Sequence, residues 1–401
     1  MSSKVVITAA EVVSPVGRGL EEVFAAIGRG IPGIGIIGNF DSSAYPSPYG
    51  AEVKEGGGVA SHPSAVDRKE LFLDQTLRRI GESASFTSAG PADRSLHIGA
   101  GLDYFDLPGY VESTAAGKGE WQDFSRDTLT MARSLARRYG IRGEVSVNVT
   151  ACVASSQALG LSYRLLKRGA PGRFIISGGV DSMLNPLHFM GFQKLGALSA
   201  WEGRPEEACR PFDRKRCGLV LGEGAALFAL QRADDAMPGS VLAEIAGYAS
   251  TMDAHMVTDP DPTGTGLAAA ARKALDEAGL TPDDIDSVHL HGTGTLKNEP
   301  AEAAAMRLLF PDRWRSVPVY SMKGQVGHLI AGCGAMEMVG VLYSLLTGSV
   351  PATVNFRDQD PEAPLRVVTG EPLFMKIRTV LKLNAAFGGQ NTALVVKRHE
   401  T

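Results

Sequence analysis

A chain of 401 residues is long enough to bury a large core and to hold one large domain or two of average size. Its 44% hydrophobic and 21% charged residues are ordinary for a globular protein, and a formal net charge of −4 gives no basis for binding nucleic acid. The N-terminal apolar run is broken by Glu11, so it predicts neither a signal peptide nor a membrane-spanning helix.

Short β-branched runs alternate with helical stretches of roughly 12 to 18 residues, the pattern of an α/β protein. Strands are predicted in the first part of the chain at residues 5–8, 95–100, 145–149, 174–177 and 225–230. A second set is predicted at residues 241–248, 285–290, 319–321, 380–384 and 392–397. Helices are predicted near residues 20–28, 76–89, 126–139, 153–167, 266–278, 301–310 and 329–346.

Two other segments bear on the organisation of the chain. Residues 232–239 are the best candidate for a junction between two halves, which sets the predicted halves at 1–238 and 239–401. Residues 42–66 form a polar, glycine-containing stretch that predicts a surface excursion.

The four cysteines of the chain are too few and too scattered to predict a disulfide framework. No pair has a Cys-x-x-Cys spacing, so a zinc site is unsupported and we expect no metal. A reducing cytoplasm is therefore the expected location.

The segment 145–160 is the most informative part of the chain, because a buried strand ends at Thr150-Ala151-Cys152 and a helix follows. A cysteine at a helix N-terminus lies near unpaired backbone N–H groups and the positive end of the helix dipole. Both features favour the thiolate, which is the nucleophile. The alternative is that Cys152 is only a small buried hydrophobe.

Two histidines occupy similar positions later in the chain. His291 follows the apolar run 285–290 and opens a Gly-Thr-Gly-Thr turn. His328 follows a short strand and the polar segment Lys323-Gly-Gln-Val-Gly, directly before a helix rich in small residues. Cys152, His291 and His328 each follow a predicted strand. Such a placement of one cysteine and two histidines is not expected by chance, so it indicates a catalytic site.

These three segments, in this order, resemble the signatures of the β-ketoacyl synthases, condensing enzymes of the elongation type within the thiolase superfamily. Segments 12–17, 210–213, 222–224 and 387–391 also match, so the resemblance covers essentially the whole chain. It implies the thiolase-like fold, in which two similar halves stack as five layers, α-β-α-β-α. Residues 1–238 would carry Cys152, and residues 239–401 would carry both histidines.

The resemblance also implies a reaction. Cys152 would accept an acyl group from a carrier thioester, and a malonyl-type thioester would then lose CO₂ and attack the acyl-cysteine. His291 and His328 would stabilise the enolate, while Lys323 and Glu337 would set the local charge. The backbone amides of Cys152 and Ala385 would form the oxyanion hole. No cofactor is implied, since 4′-phosphopantetheine arrives on the carrier protein.

Further residues match substrate-contacting positions of the family. Thr293 and Thr295 match its pantetheine-binding threonines, with ordinary turn chemistry as the alternative. The remaining matches are Thr258, Leu219, Phe387 and Phe192, the last of which is almost as well explained as a core residue. By contrast, Glu299 and Glu302 are interpreted as structural, and His255, His289 and Cys333 as packing or turn residues.

The chain departs from the family near the reacting groups. Ala385 stands where the family has a gating phenylalanine, Ala386 replaces a glycine, and Leu219 replaces a second frequent phenylalanine. The loss of aromatic bulk suggests a differently shaped site that takes an unusual acyl group.

The expected partners are an acyl carrier protein and a second subunit, in a homodimer or in a heterodimer with another ketosynthase-like chain; no nucleic acid or membrane is expected. Arg68 and Lys69 match basic docking residues of the family, but Phe72 and Leu73 stand where further basic residues are common. Other arginines could compensate, namely Arg78, Arg79, Arg133, Arg137 and Arg138, with an ordinary solvated face as the alternative. The segment 121–125 could meet a partner.

Two rival functions remain open at this stage. The first is a thiolase or acyltransferase that uses coenzyme A without decarboxylation. The second is a non-catalytic subunit that controls chain length in a partner, although such subunits usually lack the nucleophilic cysteine.

Overall fold

The computed structural model describes residues 4–54, 67–169 and 172–399, and the bounds below refer to these residues. The strands of the first part are β1 (Val5–Ser14), β2 (Gly17–Arg18), β3 (Ile34–Ile36), β4 (Tyr49–Ala51), β5 (Arg94–Ala100), β6 (Tyr104–Phe105), β7 (Ser125–Arg126), β8 (Val145–Asn148), β9 (Phe174–Ser182) and β10 (Leu221–Arg232). Those of the second part are β11 (Ala243–Met252), β12 (Ser287–His289), β13 (Pro318–Tyr320), β14 (Ser349–Val350), β15 (Arg366–Val367), β16 (Leu373–Phe374), β17 (Thr379–Ala386) and β18 (Gln390–Lys397).

The α-helices alternate with these strands. They are α1 (Gly19–Gly28), α2 (Arg68–Gly81), α3 (Ala84–Ser88), α4 (Leu107–Ala115), α5 (Thr128–Arg138), α6 (Ala154–Arg168), α7 (Pro186–Lys194), α8 (Thr265–Ala278), α9 (Asn298–Leu309), α10 (Lys323–Val326) and α11 (Cys333–Thr347). All ten predicted strands are present, although several are longer or shorter than predicted.

The two parts of the chain form sheets of the same topology. The first sheet has the order β1-β10-β9-β5-β8, and the second has the order β11-β18-β17-β12-β13. In each sheet the first two pairings are antiparallel and the last two are parallel. The sequence similarity between the two halves is too weak to establish an internal repeat. The shared strand order and strand directions nevertheless show that the two halves repeat the same fold.

The helices form layers around these two sheets. Helices α6 and α11 lie between the sheets and contact each other, whereas α2 and α5 cover the outer face of the first sheet. Helices α8 and α9 lie on the outer face of the second sheet. The protein therefore has the predicted thiolase-like, five-layered α/β fold. Strands β1 and β11 connect the sheets by antiparallel pairing of residues 5–7 with 243–245.

The central pair of helices, α6 and α11, brings two parts of the chain close together. A Cβ atom added at Gly334 of α11 would lie 2.2 Å from Ser156 Oγ of α6, so only glycine allows this approach. The stretch Ile330–Thr347 is long and apolar enough to cross a membrane, but 89% of it is buried within the protein. It is thus the central helix of the core.

One prediction about the first part of the chain needs correction, and another lies partly outside the described residues. The helix predicted at 76–89 is instead α2 followed by the short α3, because Asp67 caps α2 by accepting a hydrogen bond from Lys69 N at 2.9 Å. Of the predicted surface excursion 42–66, residues 55–66 lie outside the described residues.

The residues of α2 that match docking positions of the family make contacts within the protein. Arg68 pairs with the buried carboxylate of Glu223 at 2.5 Å, and Lys69 is 2% exposed and donates to the carbonyl oxygen of Leu102. Phe72 and Leu73 are also buried, because they lie on the face of α2 that packs on the first sheet. The arginines proposed to compensate are exposed, namely Arg78, Arg79, Arg133, Arg137 and Arg138.

Candidate active site

The structure brings together the cysteine and the two histidines that the sequence singled out. The Sγ atom of Cys152 and one ring nitrogen each of His291 and His328 all lie within 4.8 Å of one another. The two imidazole rings are nearly perpendicular, at 83°, with centroids 5.2 Å apart. All three side chains border a cavity of about 270 Å³ that opens to the surface.

Cys152 lies in a 3₁₀ turn, Ala151–Val153, between strand β8 and helix α6. Ala151 has φ 49°, in the left-handed region that costs energy for a residue other than glycine. The surrounding layers hold this strained turn, which directs the thiol into the cavity. Strand β8 and α6 therefore position the sulfur, as the sequence pattern predicts.

The structure does not support the expected preference for the thiolate. Burial raises the pKa of the Cys152 thiol to about 12, although the Lys323 ammonium and the backbone N–H of Phe387 act in the opposite direction. Cys152 is almost completely buried, so the free-energy cost of desolvating its thiolate exceeds the stabilisation that the N-terminus of α6 gives to the thiolate. Cys152 is consequently a thiol before substrate enters.

The backbone donor beside Cys152 differs from the one inferred by resemblance. The N–H of Phe387 hydrogen-bonds the Cys152 sulfur, whereas Ala385 lies within the ladder of β17 and β18, opposite Asn391. Ala385 still lines the cavity. The Phe387 amide is therefore a further candidate for the second donor of the oxyanion hole, in addition to the Ala385 amide inferred by resemblance.

His328 is fixed by its own loop. Its Nδ1 atom accepts a hydrogen bond from the backbone N–H of Ile330 at 3.1 Å, and Ile330 has the strained φ of 47°. The backbone of His328 is held by Val220 O and Gly222 N, at 2.7 and 3.0 Å. Because a backbone N–H can only donate, Nδ1 of the neutral ring carries no proton, and the proton lies on Nε2.

His291 is held in the same tautomer by other groups. Lys323 Nζ lies 3.2 Å from its Nδ1 atom, and Asn384 Nδ2 lies 3.1 Å from it. An ammonium group can only donate, so this nitrogen also accepts, and the Nε2 atom of His291 carries the proton. Burial and the Lys323 charge lower the pKa of His291 well below its usual value, which keeps the ring neutral.

The backbone of the turn after β12 is anchored by two buried glutamates. Glu302 accepts from the N–H groups of His291 and Gly292 at 2.5 and 2.8 Å. Glu299 accepts from Gly294 N at 2.5 Å. Both carboxylates therefore have the structural role predicted for them.

A buried cluster of charges lies behind the histidines. Glu337 pairs with Lys323 through Oε1 and with Lys382 through Oε2, the latter at 3.1 Å. Burial alone would raise the pKa of Glu337, but the two ammonium groups together hold it well below its usual range. Lys323 and Glu337 are each 1% exposed and do not border the cavity. The sequence analysis missed Lys382, although a lysine within an apolar strand was a visible signal.

The Cys152 sulfur and the ring nitrogens of His291 and His328 are close enough together to bind a metal ion. The protonation of the two rings, however, does not suit metal binding. A neutral imidazole binds a metal through the nitrogen that carries no proton. In both rings that nitrogen is Nδ1, which is occupied by hydrogen-bond donors, and the cavity faces Nε2–H. The residues of this site therefore suit donation to an oxygen atom and not coordination of a metal.

Most of the predicted substrate contacts border the cavity. They are Thr258, Thr293, Thr295, Leu219 and Phe387. The hydroxyl groups of Thr293 and Thr295 lie 2.8 Å apart. Phe192 does not line this cavity; it is partly buried and packs against the central core, in agreement with the alternative given for it.

Comparison with known proteins agrees with this geometry. Residues 2–236 match the model of the β-ketoacyl synthase N-terminal domain, and residues 242–357 match that of the C-terminal domain. The chain is 30% identical to 3-oxoacyl-[acyl-carrier-protein] synthase 2 of Synechocystis sp., over 99% of this chain and 98% of that protein. It is also 30% identical to the actinorhodin polyketide putative β-ketoacyl synthase 1 of Streptomyces coelicolor, over 100% and 90%.

A solved structure, the ishigamide ketosynthase/chain length factor, is similar with a TM-score of 0.87 and 25% identity, over 100% of both chains. The matched family models together cover most of the sequence, and the fold and the converging cysteine and histidines agree with them. This chain belongs to the β-ketoacyl synthase family.

Proposed function

We propose that Cys152, His291 and His328 are the catalytic residues of an active β-ketoacyl synthase, which joins an acyl group to a malonyl-type unit with loss of CO₂. The observation that carries this proposal is the orientation of the site. One thiol and two imidazole N–H groups face the same cavity, and neither imidazole offers a lone pair to it.

The first half-reaction is acyl transfer. The Cys152 sulfur attacks the carbonyl carbon of an acyl-carrier thioester, a new C–S bond forms, and the bond to the carrier's sulfur breaks. The thiol proton of Cys152 ends on the departing carrier thiol, so the step is balanced. The backbone N–H groups of Cys152 and Phe387 stabilise the transient oxyanion, and such a donor is typically worth about 3 kcal/mol of barrier.

The second half-reaction is decarboxylation followed by condensation. The malonyl C–C bond breaks, CO₂ leaves, and the electron pair becomes a thioester enolate whose oxygen accepts from Nε2–H of His291 and His328. The enolate carbon then attacks the acyl carbonyl on Cys152. A C–C bond forms, the C–S bond breaks, and the sulfur leaves as a thiolate that takes a proton from solvent.

The tautomers also separate this function from that of a thiolase. Condensation of the thiolase type requires a base that removes a proton from the carbon that becomes the nucleophile. Neither Nε2 atom offers a lone pair for removing that carbon-bound proton, whereas both can donate to an enolate formed by loss of CO₂. The presence of Cys152 in the cavity argues against a non-catalytic subunit.

The proposed partners are an acyl carrier protein, as in the name of the Synechocystis relative, and a second subunit. The ishigamide structure pairs a ketosynthase with a chain length factor, so a heterodimer is included in the proposal beside a homodimer. The roles of Thr258, Thr293 and Thr295 in holding the pantetheine arm, and a cytoplasmic location, belong to the same proposal.

Incubating the purified protein with acyl-carriers of different chain length together with malonyl-carrier tests this function. We expect an acyl adduct on Cys152, release of CO₂ and a product two carbons longer, each detected by mass spectrometry or by trapped label. An adduct formed from acyl-coenzyme A with no CO₂ released from the malonyl-carrier would favour the thiolase alternative.

We further propose that the missing aromatic side chains widen the site for an unusual acyl group. Ala385, Ala386 and Leu219 all line the cavity, so bulk added there acts directly on the substrate. In the Ala385→Phe variant we expect the preferred acyl length to shift towards shorter or saturated chains by about tenfold in relative rate, the effect of a few methylene groups in a pocket. Competition between two acyl-carriers measures this ratio, and an unchanged ratio would contradict the widened-site proposal.

A further inference from the structure

Strand β17 carries two polar side chains into the buried layer between the sheets. Lys382 and Asn384 are 1% and 0% exposed, and alternate residues of a strand share a face. They contact Ser156 of α6 and Glu337 of α11. A second buried ammonium beside Lys323 is costly to desolvate, which points to a specific task for it.

The hydrogen bonds of Asn384 fix which way its amide faces. Lys382 Nζ and Ser156 Oγ both donate to Oδ1, the latter at 2.7 Å, so this atom is the carbonyl oxygen. The Nδ2 group then donates to Glu337 Oε2 at 2.5 Å and towards His291 Nδ1 at 3.1 Å. An amide nitrogen offers only protons, so this contact requires His291 Nδ1 to be an acceptor.

We propose that Lys382 and Asn384 are positioning residues that keep the proton of His291 on Nε2, facing the cavity, and thereby support decarboxylation in preference to acyl transfer. Neither side chain touches the cavity. Lys382 acts through the orientation of Asn384, and Asn384 acts through the proton of His291. The inference rests on the proposed function and deepens it.

The two half-reactions depend differently on this arrangement. Acyl transfer uses the thiol of Cys152 and the backbone N–H groups of Cys152 and Phe387, which Lys382 and Asn384 do not contact in the described structure. The enolate, by contrast, needs the N–H of His291. Changing either positioning residue is therefore expected to affect loss of CO₂ more than acylation.

Two variants test this separation. In Asn384→Asp a carboxylate replaces the amide that faces His291 Nδ1, and this carboxylate also attracts the Lys323 ammonium away from that nitrogen. An acceptor then faces Nδ1, which draws the proton to Nδ1 and leaves Nε2 without one. We expect CO₂ release to fall about 100-fold, the effect of losing one donor to an oxyanion. In Lys382→Met, where Lys323 still faces Nδ1, we expect a smaller loss of about tenfold.

In both variants the rate at which Cys152 is acylated by acyl-carrier is expected to remain within about threefold of the original. Lys397→Met, at the end of the neighbouring strand β18, makes the same residue change away from the cluster and should leave both half-reactions unaltered. An equal loss of both half-reactions in Lys382→Met would overturn the proposal, because general damage to the site would explain it.

The tautomer itself can be observed by ¹⁵N NMR of histidine-labelled protein, with the His291 signals assigned by their loss in His291→Ala. We expect the Nε2–H form in the original protein and the Nδ1–H form in Asn384→Asp. A proton on Nδ1 in the original protein would overturn the proposal. This measurement needs no turnover, so it remains decisive even if the original protein releases no CO₂ and the proposed function fails. Should Asn384→Asp not fold, Lys382→Met and the original protein still test the inference.

Discussion

Replacing Cys152 with alanine is expected to abolish condensation while sparing the release of CO₂ from malonyl-carrier. The sulfur holds the acyl group, so its removal should lower product formation by about 10⁴-fold or more, as for other catalytic nucleophiles. The enolate is stabilised by His291 and His328, which the substitution does not touch. We therefore expect CO₂ release to stay within about tenfold of the original, measured with labelled malonyl-carrier.

Cys333→Ala is the matched control for this variant. Cys333 is also a buried thiol, and it donates to the backbone carbonyl of Cys152 at 3.0 Å, but it does not border the cavity. We expect it to retain both the acyl adduct and product formation. If Cys152→Ala still carried an acyl group after incubation with acyl-carrier, Cys152 would not be the nucleophile.

Replacing His328 with alanine is expected to have the second largest effect, and it should act on the other half-reaction. Loss of one N–H donor to an enolate oxygen corresponds to a fall of about 10² to 10³-fold in decarboxylation, or roughly 3 to 4 kcal/mol. The acyl adduct on Cys152 should still form, because the backbone donors for that step are intact. Separate assays of the adduct and of CO₂ distinguish the two steps.

An exposed histidine provides the control for this substitution. His255→Ala removes an imidazole from the surface and should leave both rates unchanged. A His328→Ala variant that loses acylation as severely as decarboxylation would contradict the division of labour proposed here, and so would one that releases CO₂ at the original rate.

Much of the fold could be predicted from local patterns. The run 174–177 is apolar and lies between helical stretches, which suffices to predict a buried strand, and β9 is buried throughout. The run 145–149 also predicts a buried strand, but β8 is only half-buried and Val149 is exposed, because β8 lies at the edge of the first sheet. The helix predicted at 76–89 failed because its start is decided by a side-chain cap at Asp67 and not by periodicity. Likewise, the sequence could not show whether Phe72 lies on the surface or in the core, because its burial depends on how α2 packs against the first sheet.

The sequence by itself determined the family, the α/β class and the three side chains Cys152, His291 and His328, because their motifs are local and specific in combination. The tertiary structure decided the protonation of the site. Which nitrogen of His291 carries the proton depends on Lys323 and Asn384, which lie 32 and 93 residues away along the chain. The thiol form of Cys152 likewise follows from desolvation by layers that assemble only in the folded protein, where burial outweighs a helix end.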